Sequence, residues 1–346
     1  MDTVMKHPKI TVLMPVYNAE RFLREAMESI LQQTFRDFEL IVIDDGSTDE
    51  SSGIISSFQD PRIRFEKNGK NAGLIATLNK GLLLARGEYI ARMDADDISE
   101  PSRFAVQTAF LDGHPDIALV GSWIRVFGAG MRYIDRHPLT HEEIRAQLFF
   151  SNALAHPTVM FRRSAFSEAG LAYEEQYKHV EDYGLWVTAT RMLRFANIPK
   201  PLLRYRVHNE SVSRTYSPVQ IENTKRIRGE QLSELGIRPT DAEMELHQTT
   251  YKPDGMSIEE FLAAKEKWLL RLIGANRSTN VYARTYFEER ISERWFMACM
   301  ANVRYGSFAW RAFRASSLRE KFFFTRKLRF MAKFFVKSVI RRQTIY

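Results

Sequence analysis

The chain has 346 residues, 45% hydrophobic and 27% charged, with one cysteine and a formal net charge of +8. That is room for one large globular domain, or one domain with a substantial appendage. A lone Cys299 excludes a disulfide framework and a cysteine-based metal site; residues 1–9 lack the apolar core of a signal peptide, and no run approaches the roughly 18 apolar residues that span a bilayer, so the expected location is cytoplasmic.

Ile10 to Val16 reads as a buried strand stopped by Pro15, with Tyr17 and Asn18 forming the turn. Arg21 to Gln32 carries Phe22, Leu23, Ala26, Met27 and Ile30 at helical spacing. Phe38 to Ile43 is a second strand, running into Asp44-Asp45-Gly46-Ser47-Thr48-Asp49. Strand, helix and strand in succession are the pattern of a βαβ unit and a parallel sheet. Ser47 or Thr48 is placed to cap the next helix. Ile63 to Phe65 is a short third strand. Gly73 to Ala85 is a helix closed by Gly87 at the position after its C-cap, and Glu88 to Met93 is the fourth strand.

Helix is expected over Pro101–Leu111, a hairpin over Ala118–Phe127 and Met131–Asp135 around Gly128-Ala129-Gly130, and a helix over Thr140–Phe149 with Thr140 as N-cap. Thr158–Phe161 reads as a strand, Glu181–Arg194 as a helix and Leu202–Val207 as a strand leading to His208. From Ser217 the strand patterns end. Val219–Leu235, Ser257–Ile273 and Val281–Arg304 read as helices, the second opened by a Ser257/Glu260 capping box. The predicted division is residues 1–215 as an α/β catalytic domain and 216–346 as a helical C-terminal region.

The fourth strand delivers three carboxylates within four residues: Asp94, Asp96 and Asp97. Such a cluster repels itself unless something positive sits there. Mg²⁺ or Mn²⁺ fits, because these ions take oxygen ligands and bind through one or two carboxylates plus substrate phosphates. In open α/β sheets ligands bind beyond the carboxyl ends of the strands. Tyr17 and Asn18, Asp44 and Asp45, and Asp94 and Asp96 would therefore share one sheet edge, and the chain around them would serve to bring a nucleotide diphosphate there.

Five stretches carry a family resemblance: Met14-Pro15-Val16-Tyr17-Asn18, Ile43 through Asp49, Asn71-Ala72-Gly73 through Asn79-Lys80-Gly81, Met93-Asp94-Ala95-Asp96-Asp97, and Glu181-Asp182-Tyr183-Gly184-Leu185-Trp186. In their order and spacing they resemble a family 2 glycosyltransferase of the GT-A fold, a Rossmann-like, mostly parallel α/β sheet with flanking helices, over roughly residues 9 to 215. The resemblance implies inverting transfer of a sugar from a nucleotide diphosphate donor to an acceptor hydroxyl, of the kind that builds bacterial surface polysaccharides.

Under that resemblance Asp94 and Asp96 match the DxD motif, one carboxylate facing the ribose and the other the metal, with Asp97 set aside. Asp45 first, and Asp44 second, would accept the N3–H of uracil or thymine beside the aromatic face of Tyr17, although Asp-Gly-Ser-Thr is also a good turn sequence. Pro15, Asn71, Gly73, Asn79, Arg92 and Arg206 complete the expected donor contacts; a polar helix face for Asn79 and a carboxylate pair for Arg92 stand as the plainer roles. Asp182 would be the general base, with Glu181 and His156 towards the acceptor and Trp186 in the core. His208 would join Asp96 at the metal. The donor would be a UDP-sugar, with dTDP as second candidate.

Residues 304–346 hold twelve Lys or Arg against one acid, Glu320, so the rest of the chain is slightly acidic. As a helix, residues 317–342 would place Phe324, Leu328, Met331, Phe335 and Val339 on one side, widened by Phe323, Phe330 and Phe334. Arg319, Arg326, Arg329, Lys333, Lys337 and Arg341 fall opposite, and Lys321 and Arg342 spoil the ends of the apolar sector. That composition suits the surface of an anionic membrane, which would fit a lipid-linked or glycan acceptor and a peripheral place at the inner face of the cell membrane. Packing on the protein body is the competing reading, and nucleic acid is not an expected partner. Two other functions were weighed. A nucleotidyltransferase would open with a Gly-rich loop where Pro15-Val16-Tyr17-Asn18-Ala19 stands, and an inactive membrane-associated scaffold would not need Asp94, Asp96 and Asp182.

Overall fold

The strand β1 (Ile10–Val16) is apolar except for Thr11, and every residue but Pro15 is buried. It is flanked in parallel by β2 (Phe38–Asp44) and by β4 (Tyr89–Arg92), and β3 (Ile63–Lys67) adds in parallel outside β2. Continuous apolar runs without alternation are what a parallel sheet covered on both faces requires. The crossovers are α1 (Leu23–Leu31), α2 (Ser51–Ser56) and α3 (Leu74–Leu84). The α1 helix buries Leu23, Ala26, Met27 and Ile30, a stripe at three- and four-residue spacing; each large side chain removed from water contributes roughly 1.5–3 kcal/mol.

The structure, a computed structural model, describes residues 7–208, 218–305 and 307–322, the side chains of 321 and 322 excepted. The described residues fall into two compact units, one within Met1–Ile144 and Ser151–Thr224, the other within Arg145–Phe150 and Lys225–Tyr346. The basic segment over 317–342 lies almost wholly outside the described residues; its beginning is α13 (Arg319–Phe322).

In the first unit the chain continues through β5 (Ile98–Ser99), α4 (Arg103–Gly113), β6 (Ile117–Gly128), β7 (Met131–Asp135), the first half of α5 (His141–Leu148), β8 (Met160–Arg162), α6 (Arg163–Glu168), α7 (Glu181–Ala189) and β9 (Arg194–Arg206). The sheet order is β3-β2-β1-β4-β8-β6-β9-β5, with β7 paired to β6. Since β8 is antiparallel to both β4 and β6, and β9 is parallel to β6, β1 to β4, β6 and β9 all run one way. This is the mostly parallel α/β architecture expected. It brings the carboxyl ends of β1, β2, β4 and β9 to one edge, together with the turn that enters β8. At the far end of β6, Ala129 and Gly130 both take positive φ, 44° and 75°, between the paired Gly128 and Met131. Two such residues match the twist of the flanking strands in a two-residue hairpin.

Several local expectations are corrected. Neither Ser47 nor Thr48 caps α2, whose N-cap is Glu50; Ser47 Oγ accepts from Asn18 N–H at 3.0 Å, and Thr48 N–H donates to Asn18 Oδ1 at 2.9 Å, so both lace the first two strand-end loops together. Gly87 does not close α3 in a left-handed conformation. It is a point of close approach, where a Cβ would lie 2.4 Å from Thr11 N. The α7 helix ends at Ala189, and Arg194 begins β9 by pairing with Ile117. The short β5, paired with β9, has no apolar run that would announce it.

The second unit contains most of α8 (Pro218–Glu234), then α9 (Asp241–Gln248), α10 (Ile258–Thr279), α11 (Arg284–Ala301), α12 (Phe308–Ala315) and α13. Its core gathers Phe149, Phe150, Phe261, Leu272, Trp295 and Phe313. Both α9 and α10 open with complete capping boxes, Thr240/Glu243 and Ser257/Glu260, each cap contributing about 1 kcal/mol. Lys265 on α10 is 1% exposed and donates to the backbone oxygens of Leu246 and Thr249 at the end of α9. Burial pushes its amine down to about 7. Among the described residues no helix is long and apolar enough to cross a membrane.

Candidate active site

Met93 N–H donates to Leu13 O, so the chain leaves β4 still tied to β1 before it turns through Asp94, Asp96 and Asp97. One carboxylate oxygen from each of these three lies within 4.8 Å of the others. Burial pushes the Asp94 carboxyl up, an effect that Arg92 opposes and Asp96 reinforces. Asp97, 1% exposed, is held well above the ordinary range by burial and by the charges of Asp94 and Asp96. Its Oδ1 accepts from Arg206 N–H at 2.8 Å, while its Oδ2 is buried with no hydrogen-bond partner among the described residues. The cluster thus has more negative charge than its protein surroundings compensate. Asp97, which the motif resemblance passes over, stands in the same cluster as Asp94 and Asp96.

Arg92 is the nearest compensating charge. Its Nη1 pairs with Asp94 Oδ2, its side chain is buried, and its Nε has no hydrogen-bond partner among the described residues. Burial works against that charge, but Asp94, Tyr173 and Asp97 together raise the guanidinium. Behind it lies Arg103, missed in the sequence and 0% exposed, whose Nη2 donates to Arg92 O at 2.8 Å and whose Nε donates to Gln107 Oε1 at 2.9 Å. Burial and then the Arg92 charge push it down to about 9.

From the end of β9, His208 Nε2 meets Asp96 Oδ2 at 3.0 Å, which joins the two residues expected at the metal. Arg206 lies beside them with its polar groups engaged. Its Nε donates to Asp96 O at 2.8 Å, its Nη2 pairs with Glu25, and its guanidinium sits over Phe22 and Phe127. It braces the acidic turn.

The β2 corner is also internally bonded. Asp44 Oδ1 accepts from Ser47 N–H at 2.9 Å and Oδ2 from Ser52 Oγ; burial works to raise this carboxyl, but the two serines hold it below the ordinary range. Asp45 accepts from Asn68 Nδ2 at 2.7 Å, Ala72 N–H at 2.9 Å and Gly73 N–H at 2.9 Å. It thereby ties down the loop before α3, where Gly73 takes a φ of 91° that favours glycine. Asn71 Oδ1 accepts from the same Gly73 N–H. Pro15 is half-buried in β1; Tyr17, just past the end of β1, is 50% exposed, and Leu74, at the start of α3, is 40% exposed. Asn79 is elsewhere engaged: its Nδ2 donates to Tyr173 O at 2.8 Å and its Oδ1 accepts from Tyr173 N–H at 3.0 Å. Its amide braces the backbone of Tyr173.

The acids at the start of α7 also feel the Arg92 charge. Glu181, 8% exposed, is pushed up to about 7 by burial and then by the charge of Asp182. Burial also raises Asp182, against hydrogen bonds from Tyr183 N–H and Asn152 and the pull of Arg92. Asn152 Nδ2 donates to Asp182 Oδ2 at 2.6 Å; nothing in its sequence surroundings marked it. His156, in the turn before β8, shares a 2.8 Å hydrogen bond with Tyr173 OH and packs against Trp186, which is 0% exposed in the core. Burial and then Arg92 hold the imidazole well below its usual range, hence neutral. One buried guanidinium therefore acts electrostatically on Asp94 and Asp97 of the strand-end cluster and also on Glu181, Asp182 and His156.

The sequence model described as Glycosyl transferase family 2 matches residues 11–170. An uncharacterized glycosyltransferase of Haemophilus influenzae is 34% identical over 246 residues, 66% of this chain and 76% of that protein. The amylovoran biosynthesis glycosyltransferase AmsE of Erwinia amylovora is 31% identical over 211 residues, 59% of this chain and 78% of its own. Among solved structures, that of S. aureus TarS residues 1–349 in complex with UDP superposes with a TM-score of 0.55 at 18% identity, covering 90% of this chain and 89% of that one. This last likeness is one of fold.

Proposed function

The chain belongs to glycosyltransferase family 2 and is a glycosyltransferase of the GT-A fold; from that premise we propose that it transfers a sugar from a nucleoside diphosphate donor, UDP first among the candidates, to an acceptor hydroxyl with inversion at the anomeric carbon. One observation supports the proposal: the carboxylates of Asp94, Asp96 and Asp97 gather at the end of β4, and Asp182 at the start of α7 is near enough for the Asp94 charge to act on it. An in-line displacement needs these two parts on opposite sides of one reacting carbon.

Asp182 takes the acceptor hydroxyl's proton as the oxygen attacks. The attack forms the new glycosidic bond while the bond to the diphosphate breaks, and the nucleoside diphosphate leaves with that electron pair. Arg92 holds Asp94 in place and offsets negative charge in a buried setting, where fixed charges act strongly. Asp45 shapes the loop that ends at Gly73. The exposed ring of Tyr17, just past the end of β1, supports stacking of a nucleobase, with Asp44 and Asp45 at the end of the neighbouring β2. The TarS complex with UDP supports UDP as the first donor to test.

The donor set suits Mg²⁺ or Mn²⁺: carboxylate oxygens within 4.8 Å, an imidazole 3.0 Å from one of them, and the unpartnered Asp97 Oδ2. Asp96 and His208 would hold the ion, with Asp94 towards the donor. An ion bound there supplies positive charge to the departing diphosphate.

The acceptor we propose is a lipid-linked glycan of surface-polysaccharide synthesis, supported by the relative named for amylovoran biosynthesis and by the basic, aromatic composition of residues 317–342. Flotation on anionic liposomes tests the membrane part. Full-length protein with Arg326, Arg329, Lys333 and Lys337 changed to Glu should lose flotation, and equal flotation of both proteins removes the tail from the account. The donor is tested by thermal shift with UDP, dTDP and GDP, each with and without Mn²⁺, since a ligand of the folded state raises apparent stability. Stabilisation by UDP and Mn²⁺ together is the expected result.

A further inference from the structure

We propose that Asn152 is the positioning residue of the catalytic base, setting both the direction and the basicity of the Asp182 carboxylate. This rests on Asp182 acting as the base.

The geometry fixes the orientation of the Asn152 amide. Its Oδ1 accepts from Ala153 N–H at 2.8 Å and from Leu154 N–H at 3.3 Å, so the oxygen end is committed to the backbone. The nitrogen end must then face Asp182, and Nδ2 donates to Oδ2 at 2.6 Å. The reverse orientation would set a carboxamide oxygen against a carboxylate and an amide nitrogen against two N–H donors. The segment carrying Asn152 is anchored too. Ala153 and Leu154 are buried, and Asn197 on β9 donates from Nδ2 to Ala153 O at 3.1 Å. Asn152 is thus a donor held on a rigid base.

The other oxygen of Asp182 accepts from Tyr183 N–H at 2.7 Å, within its own helix. Each carboxylate oxygen therefore takes one fixed donor, and rotation about the Cβ–Cγ bond is stopped from both sides. Lone pairs remain on each oxygen to receive a proton. A carboxylate aimed in advance avoids reorganisation at the moment of attack.

The same hydrogen bond sets basicity. Bonds to the charged form favour it. The charged groups acting on Asp182 are Arg92, which lowers it, and Asp94, which raises it. Glu181 and Tyr173 respond in turn to the Asp182 charge. Against the burial that raises it, Asn152 supplies a side-chain hydrogen bond that favours the charged form of Asp182.

The test reads Asp182 directly, by ¹³C-carboxylate NMR titration of full-length protein labelled at aspartate, with the resonance assigned from its loss in Asp182→Asn. Asn152→Ala should raise the Asp182 midpoint by about one pH unit. Asn152→Asp should raise it further, because two carboxylates would then share one proton. Asn152→Ser, which keeps a hydroxyl donor, should fall between wild type and Asn152→Ala and serves if the alanine variant melts early. In parallel, Mn²⁺-dependent UDP release from UDP-glucose, UDP-galactose and UDP-GlcNAc should show kcat lower by roughly tenfold or more in Asn152→Ala. KM for the donor should stay within about twofold, and the acid limb of the profile should move up with the NMR midpoint. An Asp182 midpoint unchanged in both Asn152→Ala and Asn152→Asp overturns the proposal. UDP release surviving in Asp182→Asn instead overturns the reading of Asp182 as base, and the titration still reports separately whether Asn152 positions it.

Discussion

Arg92 Nη1 pairs with Asp94 Oδ2 while the Arg92 side chain is only 5% exposed. The arginine projects from β4 two residues before the acid that follows the strand, so strand and strand-end loop are joined by one buried ion pair. Removing one partner of such a pair leaves the other charge uncompensated, at about 3–5 kcal/mol. Arg92→Met should therefore lower stability in urea by several kcal/mol and weaken UDP binding with Mn²⁺. Arg92→Lys keeps a charge but not the planar fork, and its urea midpoint should be intermediate. A midpoint unchanged in Arg92→Met would remove the pair from the account.

Glu181 gives a pH dependence with a definite sign. Its folded value is about 7, above the ordinary glutamate value of 4.5. Between those two values the folded state binds more protons than the unfolded state, so this group's contribution to stability is present at low pH and lost as pH rises through 7. The difference is at most about 3 kcal/mol by pH 8. Glu181→Gln should remove that slope and raise the melting temperature at pH 8 more than at pH 5. Equal shifts at both values would show that Glu181 is charged throughout.

Lys265 has the opposite sign. Its amine is pushed down from 10.5 to about 7 by burial. Between these values the unfolded state binds the extra proton, so stability rises with pH across that window. Lys265→Met, similar in volume, should flatten the rise between pH 7 and 10 in melting temperature. It also removes the donor to Leu246 O and Thr249 O, leaving backbone carbonyls at a helix end short of a partner, at about 1–3 kcal/mol.

Asn79 separates bracing from donor binding. Both ends of its amide are bonded to the backbone of Tyr173. Asn79→Ala should cost about 1–3 kcal/mol in urea unfolding and leave the Kd for UDP within about twofold. A loss of UDP affinity without loss of stability would return Asn79 to the donor site.

The parts of the fold legible in the sequence are those governed by short-range pattern. The apolar runs of β1, β2 and β4, each ending in polar residues, set a parallel sheet and its binding edge. Gly128-Ala129-Gly130 set the hairpin, and Ser257 with Glu260 set the start of α10. What was not legible depends on partners distant in the chain. Arg194 continues the helical spacing of α7 yet joins β9, because pairing with Ile117 overrides local preference. Arg206 and Asn79, both expected at the donor, spend their polar groups inside this protein. Asn152 and Asp182 meet across 30 positions, and Arg103 reaches Arg92 from the first position of a helix outside the matched stretches. No single-chain periodicity reports such pairs.

The central claim joins a metal-dependent donor site to a separate base. It is tested most directly by measuring, on the same preparations, UDP binding with Mn²⁺ and UDP release from UDP-sugars for wild type, Asp96→Ala and Asp182→Asn. Asp96→Ala should lose the Mn²⁺-dependent part of UDP binding and with it turnover. Asp182→Asn should bind UDP and Mn²⁺ as wild type does while turnover falls by about 10²-fold or more. Turnover in wild type that is indifferent to EDTA, or turnover that persists undiminished in Asp182→Asn, would contradict the account.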